Sequence, residues 1–262
     1  MRIATWNINS VRLRLPLVRR LAEELRPDVL CLQETKVPDE LFPHDGLADL
    51  FPHRAVRGMK GYNGVAILSK LPLKDAGGQD WCGKTDYRHI FAKLPSGIEL
   101  HNLYVPAGGD IPDPAVNDKF AHKLAFIDAQ VAWWTKEATT KAKRIVVGDF
   151  NIAPLEHDVW SHKQLLDVVS HTPVEVEKLG RLQAAHDWVD GVRHFVPATE
   201  KLYSWWSYRA RDWRATNRGR RLDHVWVTPA LAPKLAAAHI HADARDWPQA
   251  SDHVPVIVDL GV

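Results

Sequence analysis

Apolar residues along this chain follow two patterns, short β-branched runs and longer stretches in which they recur every three or four positions. The first pattern predicts strands and the second predicts helices. Residues 2–6 form a short run, residues 12–25 carry leucines four positions apart, and residues 28–33 form the next run. A strand, a helix and a strand in this order most economically make a parallel pair. Asn7 and Glu34 should therefore emerge side by side at one edge of a sheet.

The same two patterns continue to the end of the chain. Residues 117–138 show the clearest helical periodicity, and residues 181–189 predict a short helix after an irregular stretch that ends near residue 180. The further predicted strands are 65–69, 89–94, 98–105, 144–148, 203–208, 222–227 and 254–260. No low-complexity tract or linker separates these elements. The pattern indicates a single domain over residues 1–262 with mixed α/β structure.

One of these runs leads directly into polar residues. Ile145–Val147 reads as a buried strand that ends at Gly148, and Asp149 and Asn151 follow it. Open α/β sheets place ligands just past the carboxyl ends of their strands, and residues two apart in extended chain point to the same side. Together these side chains offer an anionic acceptor and an amide that both donates and accepts. An Asx turn that closes the strand is the alternative explanation.

Similar polar residues stand at the ends of the other predicted strands. These residues are Asn7, Glu34, Tyr104, Asp149, Asn151, Asp223, Asp252 and His253. Each of them alone has a structural explanation, because carboxylates are mostly exposed and polar side chains cap strands and helices. Their common location at strand ends instead favours one shared site.

The bulk composition sets outer limits on function. The chain has 262 residues, of which 45% are hydrophobic and 25% charged, with a net charge of +2, so any basic surface must come from local clustering. Cys31 lies in an apolar run and is expected to be buried, and with Cys82 it makes no disulfide framework or zinc motif. The N-terminus carries no signal-peptide pattern and no membrane span follows. We therefore expect a cytoplasmic protein.

Basic and aromatic residues are concentrated in residues 205–221, called the Arg/Trp segment below. Six arginines lie between positions 209 and 221, with a single acid, Asp212, among them. The residues of interest are Trp205, Trp206, Arg209, Arg211, Trp213, Arg218, Arg220 and Arg221, with Leu222 directly after them. Arginines bind phosphates and flat aromatic faces stack on bases, so this composition favours a nucleic-acid surface. A solvated basic loop with core tryptophans is the alternative.

Six short motifs resemble the exonuclease III family of apurinic/apyrimidinic endonucleases, within the endonuclease/exonuclease/phosphatase superfamily. The motifs, in family order, are Trp6-Asn7-Ile8-Asn9-Ser10, Leu32-Gln33-Glu34-Thr35-Lys36, Tyr104-Val105-Pro106, Gly148-Asp149-Phe150-Asn151, Leu222-Asp223-His224 and Ser251-Asp252-His253-Val254-Pro255. They span essentially the whole chain. The resemblance implies a four-layer α/β sandwich, with two mixed β-sheets packed face to face and flanked by helices. It also implies a Mg²⁺-dependent DNA-repair hydrolase that cuts 5′ to abasic sites and processes 3′ ends.

The resemblance also implies roles for the strand-end residues. Glu34 is a hard oxygen ligand suited to Mg²⁺, with Mn²⁺ as a substitute. The implied metal set is Glu34, Asn7, Asp252, Asp149 and Asn151, and Asn9 is a further candidate. By similarity, Asp149 would deprotonate the attacking water and Asn151 would orient it. His253, paired with Asp223, would stay cationic and bind a phosphate oxygen. Tyr104 would bind the phosphate or assist the leaving group.

The implied partner is double-stranded DNA with an abasic site or a 3′ end, bound by a monomer and without a membrane. Trp205 and Leu222 match positions that wall the pocket for a flipped-out abasic sugar. Three features depart from the family pattern: Ala107 stands where many relatives carry an amide, Arg220 replaces an apolar pocket residue, and the loop 153–180 differs. The balance between abasic-site cleavage and 3′-exonuclease or 3′-phosphatase activity therefore stays open.

Two other classes of function compete with this hypothesis. The first is a superfamily member that acts on phospholipids, inositol phosphates or extracellular DNA. Lipid-acting members need an exposed apolar rim, and secreted nucleases usually carry disulfides and an export signal. The sequence shows none of these features. A non-catalytic DNA-binding module is the second alternative. Every expected catalytic position is filled, which favours an enzyme.

Overall fold

Two six-stranded β-sheets form the centre of the molecule. The computed structural model describes residues 1–139, 141–210 and 212–262. The strands are β1 (Arg2–Asn7), β2 (Val29–Gln33), β3 (His53–Arg57), β4 (Val65–Ser69), β5 (Lys74–Gly77), β6 (His89–Lys93), β7 (Glu99–Tyr104), β8 (Arg144–Asp149), β9 (Val189–Asp190), β10 (Trp205–Trp206), β11 (Gly219–Arg220), β12 (Asp223–Val227), β13 (Leu235–Ile240) and β14 (Val256–Leu260). The helices are α1 (Leu15–Leu25), α2 (Asp118–Glu137), α3 (His162–Leu165), α4 (Pro173–Ala184) and α5 (Trp213–Thr216).

Each sheet is mixed, with one parallel pair near its centre. The first sheet has the order β13-β14-β1-β2-β4-β3, and the second has the order β5-β6-β7-β8-β12-β9. The pairs β1–β2 and β7–β8 are parallel, and the other neighbours run antiparallel. Helix α1 connects the first parallel pair and helix α2 the second, as parallel connections require. Strands β10 and β11 form a separate two-stranded ribbon.

Alternating side chains divide the apolar residues of the sheets between an inner and an outer layer. Val29 and Cys31 of β2 lie in the core between the two sheets, whereas Leu30 and Leu32 face α1. The second sheet packs its outer face on α2 and α4 through Phe126, Trp134 and Leu179 among others. Helix, sheet, sheet and helix make four layers, and the predicted α/β sandwich is confirmed. In the part of the chain that the structure describes, no helix is long and apolar enough to cross a membrane.

The structure corrects two sequence predictions around the irregular loop. The helix predicted at residues 181–189 begins earlier, as α4 at Pro173, and ends at Ala184. Its start is fixed by a capping box, in which Thr172 and Glu175 bond each other's backbone amides, with Pro173 at the first helical position. The strand predicted at residues 203–208 is only the two-residue β10, which pairs with β11.

Candidate active site

The register of the second sheet brings three predicted site residues into one row. Asp149 at the end of β8 is paired with Asp223 on β12 and with Tyr104 on β7. Asn7 ends β1 of the other sheet, and its amide nitrogen lies 2.9 Å from Asp149 Oδ2. Gly148 lets β8 pass close to β7 just before Asp149, because a Cβ there would lie 1.8 Å from the Leu103 carbonyl oxygen. The two sheets therefore present their strand ends to a common point.

His253 and two carboxylates form the buried centre of this site. His253 Nδ1 lies 2.8 Å from Asp223 Oδ2, and Nε2 lies 3.6 Å from Asp149 Oδ2. Burial alone would lower the pKa of His253, but the charges of Asp223 and Asp149 outweigh it and raise the pKa to about 10. The two carboxylates therefore favour the cationic imidazolium at neutral pH.

Ser204 orients the Asp223 carboxylate, and the sequence analysis did not identify it. Its hydroxyl donates to Asp223 Oδ2 at 2.6 Å and accepts from the backbone amides of Leu222 and Asp223 at 3.0 and 3.1 Å. Ser204 is fully buried just before β10. Nothing in the local sequence distinguishes this serine from an ordinary turn residue, because its role depends on contact with a strand 19 residues away.

Asp149 is held by two asparagines. Its Oδ2 accepts from Asn7 at 2.9 Å and from the Asn151 side chain at 3.2 Å, while Oδ1 accepts from the Asn151 backbone amide at 2.9 Å. That last bond is the Asx turn considered as the alternative, so the turn and the site coexist. Burial raises the pKa of Asp149 to about 7, although the nearby His253 acts in the opposite direction. A carboxylate with this pKa can accept a proton near neutral pH.

Glu34 lies on the other side of Asn7. Its Oε1 accepts from Asn7 at 2.9 Å and from the Tyr104 hydroxyl at 2.8 Å, and Oε2 lies 2.7 Å from Lys36 Nζ. Burial opposes the charged form, but Lys36 and the hydrogen bonds from Asn7 and Tyr104 prevail and lower the pKa of Glu34. Burial and the charges of Glu34 and Asp149 raise the pKa of Tyr104 well above 10, so the phenol stays protonated. The prediction that Asn7 and Glu34 emerge together is confirmed by this contact.

Asp252, a predicted metal ligand, lies at the edge of this group. Its carboxylate accepts from Trp205 Nε1 at 2.9 Å and from Asn9 Nδ2 at 3.4 Å. Asn9 in turn accepts from Lys36 at 2.6 Å, and Lys36 contacts Glu34. Asp252 is thus connected to Glu34 through Asn9 and Lys36. The residues Asn7, Glu34, Tyr104, Asp149, Asn151, Asp223 and His253 are called the strand-end cluster below.

Two groups in this region have the chemistry of a metal site. Ligand atoms of Asp149, Asp223 and His253 lie within 4.8 Å of one another, but both ring nitrogens of His253 already face these carboxylates, Nδ1 at 2.8 Å from Asp223 and Nε2 at 3.6 Å from Asp149. Glu34 fits a hard cation better, because its charged form is favoured and its Oε2 already faces the Lys36 ammonium. Asp149 places a second carboxylate nearby, because Asn7 Nδ2 donates both to Glu34 Oε1 and to Asp149 Oδ2. The residues present therefore fit a divalent ion bound at Glu34.

The Arg/Trp segment is divided by the fold into exposed and buried members. Arg209 and Arg218 are exposed, and the Arg218 guanidinium lies 4.7 Å from the centre of the Trp160 ring. Trp205 and Trp213 are half-buried, with Trp213 donating to Asp246 at 2.6 Å. The prediction for Arg211 lies outside the described residues. Leu222 is 4% exposed and packs in a small cluster that Trp205 borders.

Two residues predicted to bind DNA lie in the interior instead. Arg221 is 1% exposed and donates to Asp158 and Asp190 at 2.7–2.9 Å. Trp206 is 4% exposed, and its indole nitrogen donates to Asn217 at 3.1 Å. Neither side chain presents a surface to DNA, so these two assignments were wrong. Composition alone could not separate them from their exposed neighbours, because their burial depends on partners elsewhere in the chain.

Arg220 is half-buried, between the exposed Arg218 and the interior Arg221. Its Nη1 donates to the Val169 carbonyl at 2.9 Å and to Ser170 Oγ at 2.7 Å, and its guanidinium lies 5.3 Å from the centre of the Trp205 ring. The loop that departs from the family pattern therefore fixes this arginine beside Trp205. The positive charge stands at the border of the strand-end cluster, since Trp205 also bonds Asp252 and pairs with His253.

The comparisons with known proteins agree with this geometry. The model of the endonuclease/exonuclease/phosphatase family matches residues 4–253, and the chain belongs to that family. Exodeoxyribonuclease III of Haemophilus influenzae is 31% identical over 98% of each chain. An AP endonuclease from Archaeoglobus fulgidus has a TM-score of 0.93 at 32% identity, with 100% of both chains covered. A 3′ phosphatase from Neisseria, solved with a product DNA hairpin, has a TM-score of 0.91 at 30% identity, again with 100% of both chains covered.

These similarities confirm the predicted family and its exonuclease III branch. They also confirm the predicted enzyme class, a nuclease. The family depends on a metal ion, which is consistent with the carboxylates of Glu34 and Asp149 at the strand ends.

Proposed function

We propose that this protein is a DNA-repair phosphodiesterase that hydrolyses duplex DNA 5′ to abasic sites and also processes 3′ ends. One observation carries the proposal: Asp149 lies between an imidazolium and the Asn7–Glu34 pair, with 2.9 Å to Asn7 and 3.6 Å to His253. A phosphodiester seated against this group would meet a proton acceptor and a cation at the same time. Both are needed to attack phosphorus and to neutralise charge on its oxygens.

The strand-end cluster supplies each part of this hydrolysis. Asp149 takes a proton from the attacking water, and Asn151, bonded to the same carboxylate, orients that water. His253 donates to a non-bridging phosphate oxygen from Nε2, because Nδ1 is held by Asp223. Water oxygen bonds to phosphorus, the bond from phosphorus to the 3′ oxygen breaks, and the leaving 3′ oxygen takes a proton from solvent while Asp149 later releases its own. The products are a 3′ hydroxyl and a 5′ phosphate. Tyr104 stays protonated and is placed to donate to the phosphate or the leaving oxygen.

Mg²⁺ is the metal we assign to this site. Glu34 would hold it, with the Asp149 carboxylate nearby, and Asn7, Asn151 and Asp252 stay in the proposed set as orienting groups. Mg²⁺ binds through one or two carboxylates and keeps several waters, and Mn²⁺ accepts the same oxygen ligands. When bound, such an ion would neutralise charge on the scissile phosphate.

The exposed part of the Arg/Trp segment is the proposed DNA contact. Arg209 and Arg218 carry charge for backbone phosphates, and Trp205 offers a flat face beside the catalytic histidine. A relative of known structure is described as bound to a product DNA hairpin, which supports DNA as the ligand.

A second candidate, a predominant 3′-phosphatase or 3′-exonuclease, is favoured by Arg220. Its guanidinium lies 5.3 Å from the Trp205 ring centre, at the border of the cluster. A fixed cation there suits an anionic 3′ terminus better than a neutral abasic sugar. One relative is described as a 3′ phosphatase and another as an AP endonuclease, so similarity supports both activities.

A side-by-side assay separates these candidates. One purified sample is tested on an abasic duplex, a duplex with a 3′ phosphate and a blunt duplex, each with Mg²⁺ and with EDTA. The proposal predicts nicking of the abasic duplex that EDTA abolishes. Release of phosphate or nucleotides from 3′ ends without abasic nicking would favour the second candidate. Tight DNA binding without cleavage in Mg²⁺ or Mn²⁺ would contradict both.

A further inference from the structure

Lys123 on helix α2 is fully buried and makes three polar contacts. Its ammonium lies 2.5 Å from Glu175 Oε1, 2.8 Å from the Asn151 carbonyl oxygen and 3.2 Å from the Ala107 carbonyl oxygen. An ammonium has three N–H groups, so each finds an acceptor. A buried lysine is costly unless it is paired in this way, and its position therefore calls for a reason.

A role in holding helices α2 and α4 together does not explain why Lys123 is buried. Lys178 of α4 already pairs with Asp128 of α2 at 2.6 Å in a partly exposed position, and the two helices also share an apolar interface. Besides Glu175 of α4, the ammonium of Lys123 binds the backbone carbonyl oxygens of Asn151 and Ala107. These residues follow strands β8 and β7. The ends of these strands carry Asp149 and Tyr104.

On the β8 side, Lys123 fixes an unusual backbone conformation. Asn151 has a φ of 52°, in the left-handed region that asparagine adopts more readily than most residues. Its amide donates to Asp149 Oδ1, and its side chain donates to Asp149 Oδ2 and to the Val105 carbonyl. The backbone carbonyl oxygen accepts from Lys123. Four hydrogen bonds, made by the backbone amide, the backbone carbonyl and the side-chain nitrogen, thus hold Asn151 against Asp149 and its surroundings.

On the β7 side, the loop that follows Tyr104 packs directly on the lysine. Gly108 has a φ of 92°, and a Cβ there would lie 2.9 Å from Lys123 Cδ. Only glycine allows the chain to pass this close in that conformation. The Ala107 carbonyl then meets the ammonium. One side chain therefore sets the distance between the segments that follow two catalytic strands.

Glu175 connects the same ammonium to the loop before α4. Its carboxylate accepts from the backbone amides of Ser170 and Thr172 and from the Thr172 hydroxyl, at 2.7–3.2 Å. Ser170 in turn holds Arg220. The carboxylate thus serves both as the helix cap and as the counter-charge of Lys123.

We propose that Lys123, with Glu175 as its counter-charge, is a positioning residue that holds Asn151 and the Ala107 carbonyl in the geometry required for phosphodiester hydrolysis. The inference rests on the proposed function. Lys123 acts through Asn151 on the water that Asp149 activates, and it has no contact of its own with the substrate. Its loss should therefore lower kcat and leave KM nearly unchanged, because substrate binding by the exposed arginines is not altered.

The test is the double variant Lys123→Met/Glu175→Gln. Glutamine keeps the capping box, and the variant removes both buried charges together, so no unpaired charge is left. The matched control is Lys178→Met/Asp128→Asn, which removes the ion pairs that Asp128 of α2 makes with Lys178 and Arg181 of α4 and leaves Asn151 untouched. We measure kcat and KM on an abasic duplex in Mg²⁺, DNA affinity in EDTA by fluorescence anisotropy, and Tm for each protein.

The first variant should lose about 100-fold in kcat, the size of effect that a misplacement near 1 Å produces, while the control stays within twofold of the wild type. DNA affinity should be unchanged in both. A folded Lys123→Met/Glu175→Gln protein with wild-type kcat, or an equal loss in the control, would overturn the inference. If that variant does not fold, Lys123→Gln/Glu175→Gln carries the same prediction with a polar pair. Absence of cleavage by the wild type would instead count against the proposed function.

Discussion

The strand-end cluster and the Arg/Trp segment were both predicted to be functional, but the fold treats them differently. All seven residues of the strand-end cluster meet through contacts of 2.6–3.6 Å with one another or with a shared neighbour. The Arg/Trp segment instead divides into exposed residues, such as Arg209 and Arg218, and interior residues, such as Trp206 and Arg221.

The difference comes from the backbone that carries each region. Sheet register fixes where a residue at the end of a strand must lie, since pairing Asp223 with Asp149 leaves no freedom along the strand. In its described residues, 205–210 and 212–221, the Arg/Trp segment contains only two-residue strands and a four-residue helix. The direction of each long side chain in this segment therefore depends on its own partner elsewhere in the fold, such as Asp158 for Arg221 or Trp160 for Arg218. Function at strand ends can thus be predicted residue by residue, whereas in the loop only the overall charge can be predicted.

The largest expected effect is that of Asp149→Asn. The amide keeps the size of the side chain but cannot take a proton from water, so kcat should fall by about 10⁴-fold, the upper range for general-base catalysis. Single-turnover cleavage of an abasic duplex measures it. DNA affinity in EDTA is the control and should change little. Near wild-type kcat in this variant would remove Asp149 from the role of base.

Arg221→Met should instead act on stability. It leaves Asp158 and Asp190 buried beside an apolar side chain, and breaking a buried pair in this way costs about 3–5 kcal/mol in the free energy of unfolding. Urea unfolding measures the change, with Arg218→Met as the exposed control, expected within about 0.5 kcal/mol of the wild type. If Arg221→Met were as stable as the wild type but bound DNA more weakly, Arg221 would be a DNA-binding residue and not a buried structural one.

The pH profile of kcat distinguishes the two ionised partners of the cluster. Burial raises the pKa of Asp149 to about 7, so activity should rise as pH increases through 7 and the base loses its proton. The two carboxylates hold the pKa of His253 at about 10 against burial, so activity should fall above pH 10 as the imidazolium is lost. Asp223→Asn should move that fall to lower pH, toward the ordinary histidine value of 6.5. If kcat of Asp223→Asn fell at the same alkaline pH as kcat of the wild type, the imidazolium of His253 would not be required for the reaction.

The smallest effects are expected in the Arg/Trp segment. Arg218→Ala should weaken DNA binding by a few-fold and reduce the salt slope of the binding constant by about 1, as the loss of one phosphate contact does. Arg214→Ala is the control, because Asp243 and Asp246 already hold that side chain at 2.6–2.7 Å. Anisotropy titrations at several salt concentrations measure both. Equal slopes for the two variants would contradict the division of the segment.

The strands of the two sheets and the residues of the strand-end cluster could be predicted from local patterns in the sequence. The apolar run of β2 and the β-branched run of β8 predicted strands, and the parallel pair β1–β2 placed Asn7 beside Glu34. The start of helix α4 was placed too late because its first turn buries a charged residue: Glu175 is fully buried and bound to Lys123. The capping box Thr172-Pro173-Val174-Glu175 was a readable signal for that helix.

Other parts of the site depend on distant contacts and leave no local signal. Ser204 and Lys123 both act on the cluster through the backbone or side chain of a residue far along the chain. A buried lysine at a helical position looks like a solvated one until its partners are known. Such residues can be found only from the folded arrangement.

The most direct test of the account measures single-turnover cleavage of an abasic duplex as a function of Mg²⁺, for the wild type and Glu34→Gln. We predict no cleavage by the wild type in EDTA and full recovery with Mg²⁺. We also predict that the variant needs at least about 100-fold more Mg²⁺ to reach half of its own maximum. Wild-type cleavage that persists in EDTA, or equal Mg²⁺ dependence in the two proteins, would contradict the claim that Glu34 holds the metal of this site.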